Sequence, residues 1–126
     1  MELVLAVVFS TVSFEQNLPP GMLQAVCFIE SGYHIKYVHF NDGGSSSYGV
    51  CQVKYETAKW LGFKGTVDEL MEPRINAYYA AKYLKHNLRR YHGDIRKAII
   101  AYNQGSANHL TRSEYSDKVI AYMEAK

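Results

Sequence analysis

Glu30 closes the apolar run Met22-Leu23-Gln24-Ala25-Val26-Cys27-Phe28-Ile29 and is followed by Ser31-Gly32-Tyr33-His34. A run this apolar is expected to be buried, so the carboxyl at its end sits where water is scarce, and burial raises the pKa of an acid. A carboxylic acid kept protonated near neutral pH can give its proton to a leaving oxygen and afterwards, as a carboxylate, take one back. The segment Ser45-Ser46-Ser47-Tyr48-Gly49-Val50-Cys51-Gln52-Val53 lies a short polar loop further on. It offers hydroxyls and an amide, groups that grip by hydrogen bonding. The chemistry expected is general acid/base work by Glu30 against a polar wall.

Other chemistries find less support. His34, His39, His86, His92 and His109 form no pair at helical spacing backed by carboxylates, so no zinc site and no metal are expected. Ser31 and Ser47 lack the Gly-x-Ser-x-Gly setting of a serine nucleophile. Glu56, Asp68, Glu69 and Glu72 read as solvated faces. No cofactor is called for.

The elements that must position these groups are mostly helical. The apolar stretch from Met1 reads as a first core helix through about Phe14. It has the length of a signal-peptide core but carries Glu2 where a positive residue is expected, and it is far short of the roughly 20 residues that span a bilayer. Pro19-Pro20-Gly21 opens a second helix, from about Pro20 to Ser31, with Gly32 as its stop. Tyr33 to Tyr48 is loop-like, with Asn41-Asp42-Gly43-Gly44 a turn signal, and a small hairpin fits around Gly49 to Val53. Helices are expected from Lys54 to Leu61 and from Thr66, which has the capping-box partner Glu69. The most periodic segment places Ala77, Ala80, Ala81, Leu84, Leu88 and Tyr91 on one side and Lys82, Lys85, Arg89 and Arg90 elsewhere around the wheel, a core helix with a solvated basic face. Asp94 caps a helix over Ile95 to Tyr102 that stops at Gly105, and Ser113 to Met123 forms a last amphipathic helix with Tyr115, Val119, Ile120 and Met123 on one side.

A chain of 126 residues closes one core, so a single mainly α domain over residues 1–126 is expected. Its 48% hydrophobic and 21% charged residues exclude extended disorder. A net charge of +2 gives no indication of a nucleic-acid partner. Eleven tyrosines offer rings and hydroxyls suited to a carbohydrate groove, though most will serve as packing. Cys27 and Cys51 lie among apolar neighbours, and two buried free thiols are the default reading, with a helix-to-loop disulfide as the alternative.

Four pieces in order carry a resemblance: Glu30-Ser31-Gly32 at a helix end, Ser47-Tyr48-Gly49-Val50-Cys51-Gln52-Val53, Pro73-Arg74-Ile75-Asn76 opening the Tyr/Ala-rich helix, and Ala101-Tyr102-Asn103-Gln104-Gly105. Together, over most of the chain, they resemble the soluble-lytic-transglycosylase-like catalytic domain of the lytic transglycosylase family in the lysozyme superfamily. The resemblance implies a lysozyme-like α fold. It also implies cleavage of the β-1,4 bond between N-acetylmuramic acid and N-acetylglucosamine in peptidoglycan, without metal or cofactor. Glu30 matches the family's single acid/base. Tyr102 matches a tyrosine whose hydroxyl lies beside that glutamate. Ser47 and Gln52 match positions that hydrogen-bond substrate; Tyr48 and Asn103 join them as weaker substrate-binding candidates.

Two departures stand out. The family's usual Leu-Met before the glutamine is Val50-Cys51, which changes the shape of a sugar subsite. Goose-type lysozymes, on the same scaffold, carry aspartates that position a water, one in the loop after the glutamate and one just after the glutamine motif. Asp42 sits in a loop comparable to the first, where it also reads as an Asp-Gly turn former; the second position is Lys54. The expected activity is therefore lytic transglycosylation leaving 1,6-anhydromuramoyl ends. The alternatives are a muramidase using Glu30 with Asp42 and a non-catalytic glycan-binding component of a phage or secretion particle. Peptidoglycan strands are the expected partner of a monomer acting in the periplasm or at the cell wall, exported or delivered by a phage or secretion system, without stable membrane insertion.

Overall fold

The computed structural model describes residues 1–40 and 45–125. Its helices are α1 (Leu3–Glu15), α2 (Met22–Ser31), α3 (Tyr55–Trp60), α4 (Val67–Leu70), α5 (Pro73–Arg90), α6 (Ile95–Gln104) and α7 (Glu114–Glu124). Between α2 and α3 lie β1 (Val38–His39), β2 (Ser47–Tyr48) and β3 (Val53–Lys54). They form an antiparallel sheet in the order β1-β2-β3, with Val38 opposite Tyr48 and Ser47 opposite Lys54. The expected hairpin is therefore present and gains a third strand, β1, from the stretch that reads as loop.

The central element is α5. Glu72 caps it by accepting from the Arg74 and Ile75 backbone N–H groups, and Pro73 takes the first turn, where a missing N–H costs nothing. Its buried stripe of Ala77, Ala80, Ala81 and Leu84 lets α1, α2, α4 and α6 approach closely. The basic residues of α5 are used in part as ties: Lys82 donates to Leu61 O, Lys85 to Asn17 O and Arg90 to Gly105 O. On the other side of the core α2 packs against α7, so the helix ending in Glu30 has α7 as its neighbour. The capping box of Thr66 with Glu69 and the Asp94 cap on Lys97 N form as the sequence implies. Helix α1 buries Leu5, Phe9 and Val12 and leaves Leu3, Val4, Val7 and Phe14 exposed. Among the described residues no helix is long and apolar enough to cross a membrane.

One expectation is overturned. Cys27 and Cys51 are joined by a disulfide, with Cα atoms 4.2 Å apart. Cys27 lies on the buried side of α2, and Cys51 sits in the tight turn between β2 and β3, which the fold lays against that side. Apolar neighbours suit a buried free thiol as well as a bridge, which is why free thiols are the default reading; the fold brings the two surroundings together and joins them.

Candidate active site

The end of α2 is fixed before any functional side chain is considered. Gly32 takes a left-handed conformation, φ 64°, and its N–H returns to Phe28 O, ending the helix one residue after Ser31. Ser31 Oγ donates to Val50 O at 2.6 Å, one turn of helix from the disulfide, so α2 is tied to the β2–β3 turn at two points.

The turn is held from the other side by Asn76, a fully buried residue of α5. Its Oδ1 accepts from Cys51 N at 2.8 Å, and its Nδ2 donates to Tyr48 O and Leu70 O at 2.8 and 2.9 Å. Gly49 is required here: its φ is 84°, and a Cβ would stand 2.5 Å from Asn76 Nδ2. Gln52, in a left-handed conformation with φ 55°, folds its amide back to donate to Tyr37 O and Gly49 O, both at 2.9 Å.

Glu30 opens onto a cleft of about 380 Å³ whose lining includes Ser47, Gln52, Tyr83, Tyr102 and Asn103. It is the one carboxylate among the described lining residues. Burial pushes its pKa from the ordinary carboxylate range to about 7, against a hydrogen bond from Tyr115 that favours the ionised form. The Tyr115 hydroxyl donates to Glu30 Oε2 at 2.7 Å. Burial and the neighbouring Glu30 hold the hydroxyls of both Tyr115 and Tyr102 well above the usual tyrosine range, so both remain donors at any ordinary pH.

The sequence-derived candidates are thus mostly brought together. Glu30, Ser47, Gln52, Tyr102 and Asn103 share one cleft, Asn103 on its exposed rim. Tyr48 lies outside the lining, packed against the core with its carbonyl on Asn76. Asp42 lies outside the described residues. The hydroxyl of Tyr102, close enough to Glu30 to feel its charge, donates to Cys51 O at 2.6 Å, while the tyrosine hydrogen-bonded to Glu30 is Tyr115. In the sequence Tyr115 is one of several apolar-side residues of the last helix; the signal that singles it out is the packing of α7 on α2. Lys54, Thr57 and, from β1, His39 also line the cleft. Among the described residues no cluster of His, Cys, Asp and Glu could hold a metal ion.

Comparison with known proteins identifies the family and the fold. The family model of the transglycosylase SLT domain matches residues 8–122. Protein IpgF of Shigella flexneri is 33% identical over 93 residues, covering 72% of this chain and 60% of that protein, and the Shigella sonnei counterpart matches equally. The matched region thus spans about three-fifths of those relatives. Among solved structures, the 70 kDa soluble lytic transglycosylase Slt70 of Escherichia coli superposes with a TM-score of 0.72 at 15% identity, covering 94% of this chain and 18% of that one. An inactive glutamate-to-glutamine mutant of the lytic transglycosylase Slt of Pseudomonas aeruginosa gives 0.73 at 20% identity, covering 94% and 20%. The chain belongs to the transglycosylase SLT domain family, and its mainly α fold is the lysozyme-like fold of the lytic transglycosylases.

Proposed function

We propose that the protein is a peptidoglycan lytic transglycosylase with Glu30 as its single acid/base. One observation carries the reading: the cleft holds a carboxyl group with a pKa of about 7, and no second carboxylate among the described lining residues. A hydrolase of the usual kind needs a second carboxylate to serve as nucleophile or to activate water. Here the position after the glutamine motif is occupied by Lys54, which lines the same cleft.

In the proposed reaction protonated Glu30 gives its proton to the glycosidic oxygen as the bond to the anomeric carbon of N-acetylmuramic acid breaks. The resulting carboxylate then removes the proton of that sugar's own C6 hydroxyl. The hydroxyl oxygen bonds to the anomeric carbon and closes the 1,6-anhydro ring. Water is not consumed, and Glu30 ends protonated, ready for the next strand. A pKa near the operating pH serves both halves of this cycle. Ser47 hydrogen-bonds the N-acetyl group. Gln52 shapes the turn with its amide nitrogen and offers the oxygen to substrate, and Asn103 contributes from the rim. The Cys27–Cys51 disulfide supports a site of action in an oxidising compartment, the periplasm or cell wall.

Mass spectrometry of muropeptides released from purified peptidoglycan tests the proposal. Anhydro ends are the expected product. Reducing ends carrying added water would transfer the site to the muramidase reading and to Asp42, and binding without release would leave a glycan-gripping module.

A further inference from the structure

Trp60 is the sole tryptophan of the chain, and at the end of α3 it is 64% exposed. It borders a second depression of about 400 Å³, lined also by Glu56, His86 and Arg90, which shares Thr57, Tyr83 and Gly105 with the catalytic cleft. The two therefore adjoin across these shared residues. A row of rings leads from one to the other: Tyr102 to Tyr83 at 5.5 Å between centroids, Tyr83 to His86 at 6.4 Å and nearly parallel, and His86 to Trp60 at 4.8 Å and perpendicular. We propose that Trp60, with His86 and Tyr83, forms an outer subsite that stacks a sugar ring of the glycan strand away from the bond being cut. This rests on the reading of the cleft as a glycan groove.

The chemistry of the depression favours a sugar over the anionic peptide stem that the same polymer carries. A pyranose ring has a face of C–H groups and a rim of hydroxyls. It therefore fits a flat apolar ring flanked by hydrogen-bonding side chains, which Trp60 with Thr57, Glu56 and His86 supplies. The cation of the depression is already committed. Arg90 donates to Gly105 O and Asn87 Oδ1 and lies over the Tyr91 ring, 4.9 Å from its centroid. Arg90 keeps its charge, but Glu56 lines the same depression with the opposite one, so the pair exerts little net pull on a carboxylate.

A lone tryptophan makes the test direct, because its emission reports from the subsite itself. The Glu30→Gln full chain, which leaves the probe uncut, is titrated with the β-1,4 hexamer of N-acetylglucosamine while binding is followed in parallel by calorimetry. Emission is expected to shift with the same saturation curve as the heat. Trp60→Ala is expected to weaken hexamer binding about tenfold, and Trp60→Phe, which keeps a flat ring, to stay within about twofold of the parent. Heat of binding without a change in emission, or undiminished affinity in Trp60→Ala, overturns the subsite. A free stem pentapeptide that shifts the emission when the hexamer does not overturns the sugar assignment. The failure of the reaction proposal is separately visible: wild-type protein that releases nothing from peptidoglycan, while the hexamer still moves Trp60, loses the reaction and keeps the subsite.

Discussion

The catalytic cleft and the outer depression beside it are built on different terms. Around Glu30 every backbone segment is tied to another: α2 to the β2–β3 turn through the disulfide and Ser31, the turn to α5 through Asn76, and Glu30 itself to α7 through Tyr115. At the outer end the backbone is tied as well, by Lys82 to Leu61 O and Arg90 to Gly105 O, but the side chains of Trp60, His86 and Tyr83 meet through ring contacts, with the tryptophan mostly in solvent. Proton transfer needs its donor held to a fraction of an ångström, whereas stacking on a sugar tolerates adjustment. Side-chain hydrogen bonds and the disulfide are thus gathered around the proposed acid, and ring faces are what the outer depression presents.

The severest break of that contrast is at the tied end. Glu30→Gln is expected to abolish release of muropeptides altogether while the fold persists. The same variant should be more stable than the parent, and the sign follows from the raised pKa. Below pH 4.5 Glu30 is neutral in both folded and unfolded chains and costs nothing. Between about 4.5 and 7 the folded state holds its proton more tightly than the unfolded state, so the parent loses stability as pH rises; above 7 the loss is complete. Denaturant melts across pH should show Glu30→Gln gaining on the parent through that window, to at most about 3 kcal/mol. Next comes Asn76→Ala, which strands a buried N–H and two carbonyls. It should cost about 4 kcal/mol in the same melts and lower activity by loosening the turn.

Much of this region was legible from the sequence, for local reasons. The helix stop at Gly32, the capping box at Thr66, the Asp94 cap and the periodicity of α5 each depend on residues within one or two turns of each other. Glu30 stood out because an acid placed directly after an apolar run is costly to bury, and a chain keeps such a group where its proton is used. What the sequence hid are the contacts between distant segments: Asn76 reaching Cys51 across 25 residues, Tyr115 reaching Glu30 across 85, and the disulfide across 24. Side-chain type and spacing along a helix carry no information about which helix will lie opposite. Tyr102 illustrates the limit, since its motif places it in the cleft, yet only the fold reveals that its hydroxyl goes to Cys51 O. Strand β1 was hidden for the same reason, being two residues long and defined by its partner.

Removing one tie sharpens the contrast further. Replacing both cysteines by alanine should cost about 3 kcal/mol, read as a drop in melting temperature of about 10 °C, because the unfolded chain regains the freedom of the closed loop. Ser31 and Asn76 still hold the turn, so activity at 25 °C should fall less than stability. Inactivation on reduction, with the fold intact, would mean that the disulfide alone sets the geometry of the acid.

The smallest expected effect discriminates best, because it acts on the acid without moving the backbone. Tyr115 donates to the Glu30 carboxylate, and that hydrogen bond opposes the upward push of burial. Tyr115→Phe keeps the ring against the core and removes only the donor. The pKa of Glu30 should then rise above 7, since the ionised form loses its partner. Activity that requires protonated Glu30 should fall off on the alkaline side at a higher pH than in the parent. At pH 6, where Glu30 is protonated in both proteins, the loss in kcat should be no more than about tenfold, reflecting freer rotation of the carboxyl. A packing role alone would lower activity equally at every pH and leave the limb in place. The pH–rate profile therefore decides whether α7 contributes a positioning residue to the site or only a wall behind it.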